Sequence, residues 1–285
     1  MEVFDGKSLD GWWIGTESPH GSGGIWDVRD GAIIANTDNG NGGQLFLNEQ
    51  YADFEIRFKF WPDWGNDSGL YLRSTRNGHG YQAVIDYYEG HSIGGLYGEQ
   101  IGGWIHRNFD LQAETIISQT YNGYDALREA WSGLWDPDGF NDMHVGVKGS
   151  PPLVKVWVNG VLVCEHQVAS EHGDLSWQGY TGFQVHGNLD RWRGGENRFK
   201  DVFIRELGPD DQILGPEGVQ DDPVAIRTRL ARATHRVEVG SWYCTDLAGR
   251  RLSAAARAGF ARGVYLLHYS DAGGQVRTIT RLNVR

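Results

Sequence analysis

An all-β protein built from two packed antiparallel sheets is what this sequence predicts. Three observations carry the prediction. About a dozen short runs alternate apolar and polar residues, the period-two pattern of half-buried strands. Turn signals recur between these runs, among them Asp30-Gly31 and Asn159-Gly160, dipeptides that accept the positive φ of tight hairpins. The composition, with 41 glycines, 12 tryptophans and 8 prolines in 285 residues, suits a turn-rich chain with aromatic-lined surfaces. Hydrophobic residues make up 40% of the chain, enough for a sizeable core.

Taken in order, Ile25–Ile34 reads as a hairpin turning at Arg29-Asp30-Gly31, and Asn39–Gly43 as a surface loop. Asp53–Trp61 alternates cleanly, with Phe54, Ile56, Phe58 and Phe60 on a core face and Glu55, Arg57, Lys59 and Trp61 on a solvent face. Residues 104–140 interrupt the β pattern. Within them Asp125–Leu134 carries Leu127, Ala130, Trp131 and Leu134 at helical spacing, and Trp104, His106 and Arg107 open the insertion. Strands resume at Met143–Lys148, followed by a hairpin over Val154–Val163 that turns at Asn159-Gly160 and is closed by Cys164. In Thr181–His186 the polar Gln184 and His186 lie opposite Phe183 and Val185, as in a strand that lines a concavity. Phe199–Leu207 ends the series. Cys164 and Cys244 are the only cysteines, so no disulfide framework is implied.

The stretch from Asn66 to Gly103 concentrates the chemistry. Strand-like runs Ser68–Ser74 and Tyr81–Asp86 flank a polar loop, Thr75–Gly80. Gly69, Tyr71 and Arg73 share one face; Gln82, Val84 and Asp86 share another. Which of these faces lines a groove is open at this point. Arg73, Asp86 and Glu99 stand at strand ends, where either a site or a solvated rim would use such residues.

The same stretch resembles the 3-keto-disaccharide hydrolase domain family. The likeness rests on Asp67-Ser68-Gly69 with Arg73, on Gly80-Tyr81-Gln82 with Asp86, and on Leu96-Tyr97-Gly98-Glu99. It continues through Phe4-Asp5-Gly6-Lys7, Trp26-Asp27-Val28, Phe140-Asn141-Asp142, Gln184-Val185-His186 and Arg198-Phe199-Lys200, over residues 1–207. Asp67 stands where the family usually has asparagine and Phe140 where it usually has tryptophan; neither is expected to touch the ionisable candidates. The resemblance implies a concanavalin A-like jelly-roll sandwich. It also implies cleavage of 3-keto-glycosides: a base removes the acidic hydrogen on C2, the enolate expels the C1 substituent, and water adds to the unsaturated sugar. Such chemistry needs a base, a donor for the enolate oxygen and an acid for the leaving oxygen.

Candidates for proton transfer are Asp86, Glu99 and His186. Candidates for binding and oxygen stabilisation are Arg73, Tyr81, Gln82, Trp104, Lys148 and Gln184. No nicotinamide is expected, since a separate sugar oxidoreductase would install the ketone. A divalent metal on Asp86, Glu99 or His186 stays open, because no ligand spacing specifies one. The alternative is a non-catalytic carbohydrate-binding jelly roll, since a fold does not dictate an activity.

Other chemistries are tested by absence. HExxH, a Walker A loop, a dinucleotide fingerprint and a GxSxG elbow are all missing from the sequence. Asp136-Pro137-Asp138-Gly139 opens like a calcium loop but lacks the later ligands. Val84-Ile85-Asp86-Tyr87-Tyr88-Glu89 resembles the ExDxxE strand of laminarinase-type glycosidases but has valine at the nucleophile position, which argues against two-carboxylate retaining hydrolysis.

Gly208–Pro223, acidic and rich in glycine and proline, reads as a linker. Beyond it, residues 224–285 read as a small β domain with strands at Arg236–Asp246, Arg250–Leu252, Gly263–Ser270 and Val276–Val284. Its last 60 or so residues resemble the sorting domains of type IX secretion cargo, which implies a secreted protein; with no signal peptide in the chain, a cytosolic one is the other reading. Net charge is −11, yet the segment after residue 222 carries eleven arginines against three acids. The strongly acidic body makes nucleic acid an unfavourable ligand. No apolar run is long enough for a membrane span.

Overall fold

The computed structural model describes residues 1–88, 92–107, 109–110, 115–116, 135–169, 177–187, 195–216, 242–246, 263–270 and 276–284. The chain divides into two units, Met1–Val219 and Gln220–Arg285.

The first unit is a sandwich of two seven-stranded antiparallel sheets. The front sheet runs, in spatial order, β1 (Trp12–Gly15), β4 (Gly43–Tyr51), β15 (Gly179–Val185), β6 (Asn66–Ser74), β7 (Gly80–Tyr87), β8 (Ile93–Glu99) and β9 (Gly103–His106). The back sheet runs β14 (Val161–Gln167), β13 (Leu153–Val158), β12 (Asn141–Lys148), β5 (Phe54–Pro62), β16 (Asn197–Glu206), β3 (Ala32–Asn36) and β2 (Ile25–Arg29). A short antiparallel pair, β10 (Phe109–Asp110) and β11 (Thr115–Ile116), lies in the insertion. The helical spacing over Asp125–Leu134 falls outside the described residues.

Alternation makes the core. Phe54, Ile56, Phe58 and Phe60 of β5 are buried and face Leu45, Leu70, Leu72, Ala83 and Ile85 of the front sheet within one hydrophobic cluster. Phe183 stacks on Phe199 across the interlayer, ring centroids 4.0 Å apart. Burying each such phenylalanine stabilises the fold by about 1.5–3 kcal/mol. The two expected hairpins are present, with Asp30 at φ 52° and Gly31 at 75°, and Asn159 at 49° and Gly160 at 83°. Positive φ at both central positions is the twist that joins adjacent strands tightly. Cys164 is a free thiol buried in the core, its pKa pushed up to about 12 by burial, and so inert.

Three expectations change here. Tyr81 faces the core, 2% exposed, on the opposite face of β7 from Gln82 and Asp86. Arg73 leaves the face of Gly69 and Tyr71, because its φ of 53° breaks the strand's alternation. Its buried guanidinium instead ties two turns to the end of β6, donating to the carbonyl of Ala52 at 2.6 Å and Oδ1 of Asp53 at 2.6 Å in one, and to the carbonyl of Gly149 at 2.7 Å in the other. Glu55, expected on a solvent face, is 3% exposed.

Glu55 is covered because residues 208–216 strap across the outer face of the back sheet, so the first half of the expected linker is docked. Its Oε1 accepts from the amides of Leu214 and Gly215 at 2.9 and 2.8 Å, and from His144 Nε2 at 3.2 Å; Oε2 accepts from Arg205 Nε at 3.0 Å. Burial alone would raise the Glu55 pKa, but the bonds from His144, Gly215 and Arg205 prevail and bring it from 4.5 to about 2. Lys148 Nζ holds the same strap through the carbonyls of Gly208, Pro209 and Asp211. Ile213 lies against Gly146, where any side chain would collide with it.

The second unit contains a three-stranded antiparallel sheet, β17 (Trp242–Asp246), β18 (Gly263–Ser270) and β19 (Val276–Val284). These strands coincide with three of the four expected; Arg250–Leu252 lies outside the described residues. Among the described residues, no helix is long and apolar enough to cross a membrane.

Candidate functional site

The outward face of β6, β7, β8 and β15 carries a polar surface that no soluble core would tolerate. Register pairs Asp67 with Asp86 across β6 and β7, Gln184 with Gly69 across β15 and β6, and Gly80 with Glu99 across β7 and β8. Alternation then directs Asp67, Gln82, Asp86, Glu99 and Gln184 to the same side. Gly69 is the gap in this surface: a Cβ there would lie 2.6 Å from the carboxamide carbon of Gln82, which leans over it. The space so made lets Gln82 Nε2 donate to Gln184 Oε1 at 2.7 Å.

These side chains surround a cavity of about 230 Å³. Of the residues expected from sequence, Asp86, Glu99, His186, Gln82, Gln184 and Trp104 line it. Arg73, Tyr81 and Lys148 do not, being engaged in the turn clamp, the core and the strap. Four more polar or aromatic walls were not foreseen: His20, Asp67, Tyr88 and Tyr97. His20 arrives from the loop between β1 and β2, which shows no strand pattern; a histidine between Pro19 and Gly21 was the available signal. Asp67 lies directly across from Asp86, and Tyr88 donates to its Oδ2 at 3.1 Å. The departure from the family's asparagine thus falls inside the cavity, contrary to expectation.

Two histidines give the cavity its acid–base character. His20 Nε2 lies 2.7 Å from Glu99 Oε2, with side chains 9% and 6% exposed, and its ring centroid is 4.3 Å from that of His186. Burial pushes the Glu99 carboxyl up, but the hydrogen bond and charge of His20 outweigh it, so Glu99 titrates below the ordinary glutamate range and is ionised at neutral pH.

His186 Nδ1 lies 2.7 Å from the carbonyl oxygen of Gly187. A carbonyl only accepts, so Nδ1 carries the proton and the lone pair of the neutral ring sits on Nε2. Burial lowers the His186 pKa, and His20 adds to that; Asp67, the Gly187 carbonyl and Glu99 pull the other way without prevailing. The ring is therefore neutral near pH 7 with a basic nitrogen available. Tyr97 is held in its protonated form by burial and by the nearby Glu99, Asp86 and Asp67 carboxylates, which raise its pKa. It stacks edge-on with Trp104, and Arg107 caps that indole.

Among the described residues, no group of three or more His, Cys, Asp or Glu is arranged to hold a metal ion. The cavity offers a neutral base, a histidine–carboxylate pair, amide donors and a phenol.

Comparison with known proteins gives many solved structures to which this chain is similar, three of which are representative. A candidate glycosyl hydrolase from Parabacteroides distasonis is 20% identical, covering 72% of this chain and 93% of its own, with a TM-score of 0.46. The carbohydrate-binding module CBM66 from Bacillus subtilis is 14% identical over 69% of this chain and 96% of its own, TM-score 0.46. A galectin-like protein of unknown function from Bacillus subtilis is 13% identical over 70% and 92%, TM-score 0.48. No curated protein matches the sequence. The family profile of the 3-keto-alpha-glucoside-1,2-lyase-like domain matches residues 1–205, a span that holds the sandwich to the last residue but one of β16 and all the described walls of the cavity, and the chain belongs to that family.

Proposed function

We propose that the sandwich cleaves glycosides already oxidised at C3, by removing the C2 proton, eliminating the C1 substituent and adding water. The observation that carries the reading is the acid–base pairing in the cavity: a neutral His186 with its lone pair on Nε2, beside the His20–Glu99 couple. A 3-oxo group makes the C2 hydrogen acidic, because the carbanion is delocalised as an enolate. His186 takes that proton; Asp67 and Glu99 stabilise the imidazolium that forms, since both favour its charged state. Gln82, Gln184 and Tyr97 supply donors for the enolate oxygen. As the C1–O bond breaks, His20 gives its Nε2 proton to the leaving oxygen. Water then adds across the C1–C2 double bond: its oxygen bonds to C1, the proton it loses restores His20 Nε2, and the His186 imidazolium returns a proton to C2, so both rings end as they began. Asp86, opposite Asp67, is the alternative proton acceptor.

A binding module would be served by an aromatic platform. Here Tyr88, Tyr97 and Trp104 share the cavity with three carboxylates and two histidines, which is more ionisable chemistry than holding a neutral sugar requires. At about 230 Å³ the cavity is smaller than the ~300 Å³ where ordinary ligand pockets begin, which suits one sugar ring. The test is turnover of a 3-keto-glucoside against the parent glucoside. The reading requires product from the oxidised sugar alone; equal hydrolysis of both would overturn it.

A further inference from the structure

A second cleft adjoins the cavity. It is open, about 530 Å³ in volume, and lies between the loop after β1 and the turn joining β6 to β7. The two spaces have no lining residue in common but meet at one backbone segment, Pro19-His20-Gly21. Pro19 and Gly21 line the outer cleft, while His20 between them reaches into the inner cavity to Glu99. On the other side His79 lines the cleft, and its neighbour Gly80 is the strand partner of Glu99. The amide of Gly42 holds this arrangement by donating to the His20 carbonyl at 3.0 Å, and Asn41 lines the cleft beside it.

We propose that this outer cleft is the subsite for the leaving sugar of a disaccharide, with the His20–Glu99 pair at the seam where the glycosidic oxygen lies. The proposal rests on the reading of the inner cavity as the site of the oxidised ring. Its chemistry follows from the walls. They are hydroxyls, carboxamides, an imidazole and a single carboxylate, Glu17, with no lysine or arginine among them. Such a surface hydrogen-bonds a neutral polyol and offers nothing to neutralise a phosphate or carboxylate. It also lacks a tryptophan, tyrosine or phenylalanine, so an aromatic leaving group would gain no stacking surface there. The inner cavity has room for one ring, and the bond to be broken runs out of it. The second ring must therefore lie outside the cavity, next to the group that protonates the leaving oxygen.

The test uses Asn77→Trp in the full chain. Asn77 is an exposed turn residue, and an indole there would fill the cleft without touching the inner walls. With a 3-keto-disaccharide of glucose, the variant should show KM raised about tenfold with kcat nearly unchanged. With the methyl 3-keto-glucoside, whose leaving group needs no cleft, both constants should match the unmodified chain. Equal losses on the two substrates, or none on either, would overturn the subsite. D-glucose itself, titrated by ligand-observed NMR, gives a readout that needs no turnover. Its binding should be weakened by Asn77→Trp and not by Asp86→Asn; the reverse pattern overturns the proposal. Glucose binding that responds to Asn77→Trp, in a protein that turns over no oxidised sugar, would count against the reaction while still supporting the cleft as a sugar site.

Discussion

At His186 a single backbone carbonyl decides which nitrogen can act. The bond to Gly187 fixes the tautomer, and burial keeps the ring neutral, so the same residue that looks like an ordinary strand-end histidine is set up to accept a proton. His186→Ala and Asp86→Asn should each lower turnover of a 3-keto-glucoside by roughly 10²–10⁴, with the melting temperature nearly unchanged. The sign of the pH dependence follows from the lowered pKa. A base must be unprotonated, so kcat/KM should fall on the acid side as pH drops through a value below the usual 6.5, and the limb should be absent in His186→Ala. Arg73 is the contrasting case. It resembles a substrate-binding cation in the sequence, yet its guanidinium donates to the carbonyls of Ala52 and Gly149 and to Asp53. Arg73→Met should cost about 3 kcal/mol in denaturant unfolding, through the broken buried pair, and leave KM unchanged in the protein that remains folded. Sequence alternation could not separate the two residues, because the turn of the chain at φ 53° is a property of the backbone.

The strands were the most legible elements. Period-two patterning places Phe54, Ile56, Phe58 and Phe60 correctly because a one-residue slip would expose all four at once. The Asp-Gly and Asn-Gly turns are legible for an equally local reason, the positive φ they accept. The strap was not legible. An acidic Gly/Pro segment resembles a linker until its partner surface is known, and that surface is a glutamate on the far side of β5. Glu55→Gln should therefore destabilise the sandwich by about 2–3 kcal/mol, since it removes the charge that Arg205 and His144 face. The pH sign is the usual carboxylate one. Glu55 is depressed from 4.5 to about 2, so its contribution is complete above 4.5 and lost as pH falls toward 2. Acid unfolding of Glu55→Gln should lack that part of the dependence; an unchanged acid transition would show that the strap is not held by Glu55.

For the molecule as a whole, the sandwich and its strap lie within the unit Met1–Val219, as do all the described walls of the cavity. Residues 1–219 should fold alone and keep full activity, whereas residues 1–207, lacking the strap, should melt several degrees lower. The candidate site was half legible. Asp86, Glu99, Gln184 and His186 stand in strand-end motifs, while His20 comes from a patternless loop and is joined to Glu99 only by folding, 79 residues apart. The cavity's central claim is that a C2 proton leaves first. The direct measurement is incubation of a 3-keto-glucoside bearing deuterium at C2, followed by NMR of substrate and product. Loss of the label to solvent, slowed by a primary isotope effect and abolished in His186→Ala, is the predicted result. Cleavage of the C1–O bond with the C2 deuterium fully retained would contradict it.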